Sequence, residues 1–209
     1  MTDKKQYFHQ TLVRFAPEFF VEYLVELIII AKVKFKIVPG RSTKLGDFRV
    51  RSEGEKPIIT VNGNLNKYAF LITTLHEIAH LNTYRQYGNR VAPHGLEWKK
   101  AFRALLEPVL LSKKLPDDIE KVLWNTFTKT KASSCSDIHL SRVLKKYDSP
   151  SDDLSLEQIP ASSHFSLNGR AFEKGLLRRS RYLCKELTSG KQYLIHALAI
   201  VQLIKPYEE

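Results

Sequence analysis

A chain of 209 residues with 43% hydrophobic content is long enough for one large domain or two small ones, each with a real core. The formal charge of +11 and the pI of about 9.6 favour polyanionic partners, nucleic acid first and an anionic membrane surface second. Two cysteines, Cys135 and Cys184, exclude a disulfide framework. Residues 19–30 are too short and too charged to span a bilayer, and they lack a cleavage site, so a cytoplasmic location without membrane contact is expected.

Pro17 to Ile30 reads as a helix. Glu18, Glu22 and Glu26 make one polar stripe on an otherwise apolar cylinder, so most of this helix should be buried. The period then changes to two. Lys32 to Val38 and Asp47 to Arg51 alternate, and Pro57 to Gly63 is a third apolar run ending in an Asn62-Gly63 turn pair. Three strands, with Lys32, Lys34, Lys36, Arg49 and Arg51 on a basic face, should form a small sheet.

Residues 67–87 contain no Pro or Gly. They lie between Asn66, an N-cap type, and Gly88, a C′ type, and form a second predicted helix. Within it stands His76-Glu77-Ile78-Ala79-His80, an H-E-x-x-H pentad. At 3.6 residues per turn, His80 lies about 40° round and about 6 Å along from His76, so both imidazoles can meet one ion. Zinc accepts neutral imidazole nitrogen and prefers four ligands. Glu77 points about 100° away, at the edge of that face, where it can reach water at the metal without being a ligand, as suits a general base.

A third ligand is sought beyond the helix end, and His94 in Pro93-His94-Gly95-Leu96-Glu97-Trp98 is placed to turn back. Three protein ligands leave one position for water, the arrangement of a catalytic rather than a structural zinc. Tyr84 or Tyr87 is a candidate donor to a developing oxyanion. Glu97 is a candidate to orient a ligand histidine. Trp98, Phe102, Leu105 and Val109 recur at helical spacing, so residues 95–110 form a third helix, with Trp98 in the core. Pro116-Asp117-Asp118 opens a fourth over Ile119–Phe127, and the polar stretch Thr128–Ser136 reads as a linker.

The pentad, thirteen intervening residues and then H-G-x-E-W resemble the SprT-like family, which includes the Spartan metalloproteases, over about residues 15–130. The resemblance implies an α+β, zincin-like catalytic domain over residues 1–131. It implies one zinc held by His76, His80 and His94, with Glu77 as the catalytic base. More loosely, it implies work on proteins associated with DNA.

Residues 132–209 should form a separate unit. Residues 138–147 suit a short helix. Short strands follow over His164–Leu167, Ala171–Lys174, Arg181–Glu186, Lys191–Ile195 and Ala197–Ile204, with Asn168-Gly169 and Ser189-Gly190 as hairpin turns. SprT-like proteins often carry a zinc ribbon here, built from two C-x-x-C pairs. This chain departs from that pattern, because the partner position of Cys184 is Leu187. The region resembles a ribbon that has lost its Cys pairs, so an antiparallel β unit with an apolar core is expected. Arg170, Lys174, Arg178, Arg179, Arg181 and Lys185 are the densest basic cluster, a candidate for sequence-nonspecific DNA contact with Tyr182 as a base-stacking residue.

The function expected is a zinc-dependent metalloprotease acting on DNA-associated proteins. One alternative is a non-proteolytic nucleic-acid-associated protein that retains a zinc site. Another is hydrolysis of a non-peptide bond.

Overall fold

Hydropathy with a helical period up to residue 31, and a period of two beyond it, gives helices first and then a sheet. The structure is a computed structural model and describes residues 3–41, 43–51, 54–128 and 138–204. Helix α1 spans Asp3–Leu12 and was not expected, because only Phe8 and Leu12 of its ten residues are buried. Helix α2, Glu18–Ala31, starts after Pro17, whose fixed φ suits a helix entry, and stops where Lys32 turns left-handed at φ 48°. Phe20, Val21, Leu24, Val25 and Ile28 are buried, but Phe19 and Ile30 are 70% and 72% exposed. The helix is therefore one-sided instead of wholly apolar in its surroundings, with α1 packed against it.

Strands β1 (Lys34–Val38), β2 (Gly46–Arg49) and β3 (Ile58–Asn62) form a mixed sheet in the order β1-β3-β2. The central β3 is parallel to β1 and antiparallel to β2, and all five of its residues are buried. Register puts Lys34, Lys36 and Arg49 on one face, together with Asp47. Lys32 belongs to the helix cap and Arg51 lies past the end of β2, so the expected basic face is smaller than five residues.

Helix α3 (Lys67–Tyr87) packs against β2 and β3, and α4 (Leu96–Leu111) packs along α3. Helices α5 (Asp117–Thr128) and α6 (Ile138–Lys145) complete the first unit. Leu140 of α6 joins the same core as Phe70, Leu75 and Trp98. The chain divides into Met1–Ser149 and Pro150–Glu209, later than the 131/132 boundary expected, because α6 packs on α5. The expected linker falls almost wholly on residues 129–137, which lie outside the described residues, as does Cys135.

The second unit is an antiparallel sheet of seven strands. These are β4 (Leu154–Ser155), β5 (His164–Leu167), β6 (Arg170–Glu173), β7 (Leu177–Arg178), β8 (Arg181–Glu186), β9 (Gln192–His196) and β10 (Ile200–Leu203). The order is β4-β10-β5-β6-β8-β7, with β9 also paired to β8. The sheet surrounds an apolar core that includes Leu156, Phe165, Phe172, Cys184 and Val201. Cys184 is thus a free, buried residue of that core. The Asn168-Gly169 turn has positive φ at both residues, 51° and 75°, the backbone that a two-residue hairpin requires. Among the described residues no helix is long and apolar enough to cross a membrane.

Candidate metal centre

Helix α3 is fixed at its start by Asn66, whose side chain accepts the Ala69 N–H at 2.9 Å. It ends at Gly88, where φ is 62° and the N–H donates to Tyr84 O at 2.7 Å. Between these ends Leu71, Leu75 and Ile78 are buried, leaving the His76 and His80 direction for a site. His94 reaches back from the loop before α4. Its own φ is 61°, a left-handed backbone that is uncommon outside glycine, and Gly95 then starts α4.

The three rings converge through one atom each. Nε2 of His80 lies 3.0 Å from Nε2 of His76 and 3.0 Å from Nε2 of His94, and the third side is 3.1 Å. Among the described residues they are the one group of three or more potential ligands close enough to hold a metal ion. Trp98 backs all three, with its ring 4.7 Å from those of His76 and His94 and 5.4 Å from that of His80. Phe102 stacks behind Trp98 at 5.0 Å. This aromatic wall keeps water off the imidazoles. Burial pushes His76 down to about 3 and His80 down to about 4, and the other imidazoles add to the shift. Burial also lowers His94. Burial thus favours the neutral form of all three rings, the form that ligates a metal.

Glu77 is 6% exposed. Burial is the main reason its carboxyl is raised to about 7, and the Asp47 charge adds to this. The Phe48 backbone N–H, Arg41 and Lys44 act in the opposite direction. Burial also acts to raise Asp47, but hydrogen bonds from Lys44 and Arg49 outweigh it and hold that carboxyl below the usual range.

Four positions around Glu77 were not legible as site residues. Strand β2 passes so close that a Cβ on Gly46 would fall 2.5 Å from Glu77 Oε1 and 2.7 Å from Thr73 Cγ2. Buried Asn62 holds the loop before β2 in place by donating to Arg41 O and Lys44 O at 3.1 and 2.9 Å, and it accepts from Arg41 Nε at 2.8 Å. Arg41 and Lys44 in turn partly offset the rise that burial and Asp47 impose on Glu77. The only sequence signal for any of this was the Asn62-Gly63 turn pair.

The expected role of Glu97 is not met by geometry. Glu97 makes no hydrogen bond to a site histidine, and His76 Nδ1 is buried with no partner among the described residues. Tyr84 lines a cleft of about 660 Å³ beside His80, with Phe48, Thr83, Pro93 and Trp98. Tyr87 is not part of that lining.

The C-terminal basic cluster divides. Lys174 is 5% exposed, donates to Ile159 O at 2.7 Å and lies 4.3 Å from the Tyr182 ring. It is a core residue, not a surface contact, and it covers the ring expected to stack on a base. Arg170 donates to Glu186 and lies over Tyr193 at 4.5 Å. Arg178, Arg179, Arg181 and Lys185 are exposed. Arg178 and Arg181 stand directly opposite each other across the β7–β8 pair, and Arg179 turns the chain with φ 59°.

No family model matches the chain, and no curated protein or solved structure matches it either.

Proposed function

We propose that the chain is a zinc-dependent peptidase of zincin-like architecture, related to the SprT-like proteins, that acts on proteins bound to DNA. The convergence of three imidazole nitrogens, with the buried Glu77 next to His76 in the chain, carries this reading. Nitrogens 3.0–3.1 Å apart are close enough for His76, His80 and His94 to hold one zinc ion together, were it bound. The donor set fits zinc, and no fourth protein ligand accompanies it among the described residues, which leaves room for water and substrate. Bound zinc polarises a carbonyl and makes water acidic enough to lose a proton near neutral pH.

The chain's own residues do the rest. Glu77, near 7 by burial, takes a proton from water and gives it to the leaving amine. Trp98 and Phe102 exclude solvent behind the histidines. The cleft beside His80 has room for a peptide, and Tyr84, one of its lining residues, would donate to a developing oxyanion.

DNA contact is assigned to Arg178, Arg179, Arg181 and Lys185. Like charges directly opposite each other destabilise a β pair, so a phosphate between Arg178 and Arg181 would relieve the hairpin.

The deciding experiment combines metal analysis with cleavage of an unfolded protein substrate, with and without DNA. We expect about one zinc per chain, loss of cleavage on chelation, and a Glu77→Gln variant that keeps zinc while losing about 10²-fold or more of its rate. Zinc retained together with wild-type cleavage in that variant would overturn the role of Glu77. Zinc present with no hydrolysis of any protein would favour the non-proteolytic alternative.

A further inference from the structure

The open edge of β1 lies on the far side of the sheet from β2 and Glu77, and the metal centre gives it no use. In a parallel pair, alternate residues turn both main-chain groups toward the neighbour. Lys34 N–H donates to Pro57 O at 2.8 Å, and Val38 O accepts from Gly63 N–H at 2.8 Å, so Lys34, Lys36 and Val38 face β3. Phe35 and Ile37 therefore turn their N–H and C=O groups outward, and neither makes a backbone bond elsewhere among the described residues. Beside them runs a groove of about 460 Å³ between α1 and β1, floored by Phe8, Leu12 and Phe15 and rimmed by Tyr7, which is 64% exposed.

We infer that this edge is a docking site for an extended peptide strand in which apolar residues alternate with acidic ones. A strand added here completes the bonds of Phe35 and Ile37. Its side chains then alternate between the two faces of the sheet. On one face they meet the groove beside Phe35 and Phe8, whose rings are 6.4 Å apart. On the other they meet Lys34 and Lys36, both exposed and neither paired with a carboxylate among the described residues. Lysines on an edge strand block self-association, because a second copy would set lysine against lysine. The same charges select a partner of opposite sign. The occupant is therefore an acidic, apolar-alternating segment of another protein and not a second copy of this chain.

The test uses the full chain and two short blocked peptides, one alternating Val with Glu and one alternating Val with Lys. We expect the Glu peptide to bind, measured by fluorescence anisotropy, and to slow hydrogen exchange at the Phe35 and Ile37 amides. The Lys peptide should do neither. In the double variant Lys34→Glu, Lys36→Glu, affinity for the Glu peptide should fall by about tenfold or more while the Lys peptide gains affinity. Equal binding of the two peptides to the wild-type chain overturns the inference, as does binding that leaves both amides unprotected. The wild-type comparison decides the matter even if the double variant does not fold. Neither outcome depends on zinc or on peptide cleavage.

Discussion

Glu77 has little freedom because β2 runs against it. Gly46 is the residue that permits this approach, since any Cβ there would press on the carboxylate and on Thr73. Both neighbours are buried, so neither can swing into solvent. A Gly46→Ala substitution should therefore move the base and leave the three histidines where they are. We expect zinc content to stay at wild-type level and the cleavage rate to drop by about tenfold or more, as a misplaced catalytic group does. Metal analysis and initial rates on the same preparation check this. Unchanged rates would show that the carboxylate tolerates the shift. Geometry of this kind is invisible in the sequence, where Gly46 reads only as the end of a loop.

At the scale of elements, α3 was legible and α1 was not, for physical reasons. α3 has a polar cap, a helical period, no internal breaker and a terminal glycine, so each local signal agrees. α1 buries two residues and offers no stripe to detect. Strands β4 and β7 have two residues each, too few to establish alternation. The site histidines were readable because two share one helix, whereas Gly46 and Arg41 come to Glu77, and Asn62 to Arg41, only through tertiary folding. Asn66 joins local and tertiary structure. It caps α3 and also donates to Leu144 O at 2.9 Å and Asp148 Oδ1 at 2.6 Å, tying the end of α6 to α3. Asn66→Ala removes the cap and leaves the Leu144 carbonyl without this donor. We expect a loss of about 1–2 kcal/mol in denaturant unfolding of the first unit, more than an exposed cap alone costs in most hosts. A midpoint unchanged from wild type would mean that the α6 contact contributes nothing.

Across the whole molecule the charge of +11 predisposes to polyanions, but charge does not say which cations are available. A sequence cannot distinguish an ammonium in solvent from one satisfied by carbonyls inside a core. Lys174 is of the second kind, and burial lowers its pKa. Arg178, Arg179 and Arg181 are exposed, on and beside a hairpin where two of them face each other, although Arg181 also donates to Leu194 O at 3.3 Å. The two kinds should respond differently to substitution. Replacing Arg178, Arg179 and Arg181 with Gln should weaken DNA binding and reduce the slope of log affinity against log salt by about 2.7 on duplex DNA, since each lost phosphate contact removes about 0.9. Thermal stability should barely change, because exposed positions contribute little to folding. Lys174→Met should leave the salt slope untouched. Its cost falls on folding instead, about 1–3 kcal/mol for the second unit, because the Ile159 carbonyl loses its buried donor. Salt titrations of DNA binding and melting curves on both variants separate these outcomes. If the arginine variant keeps the wild-type slope, the hairpin is not the DNA contact, whatever the net charge of the chain.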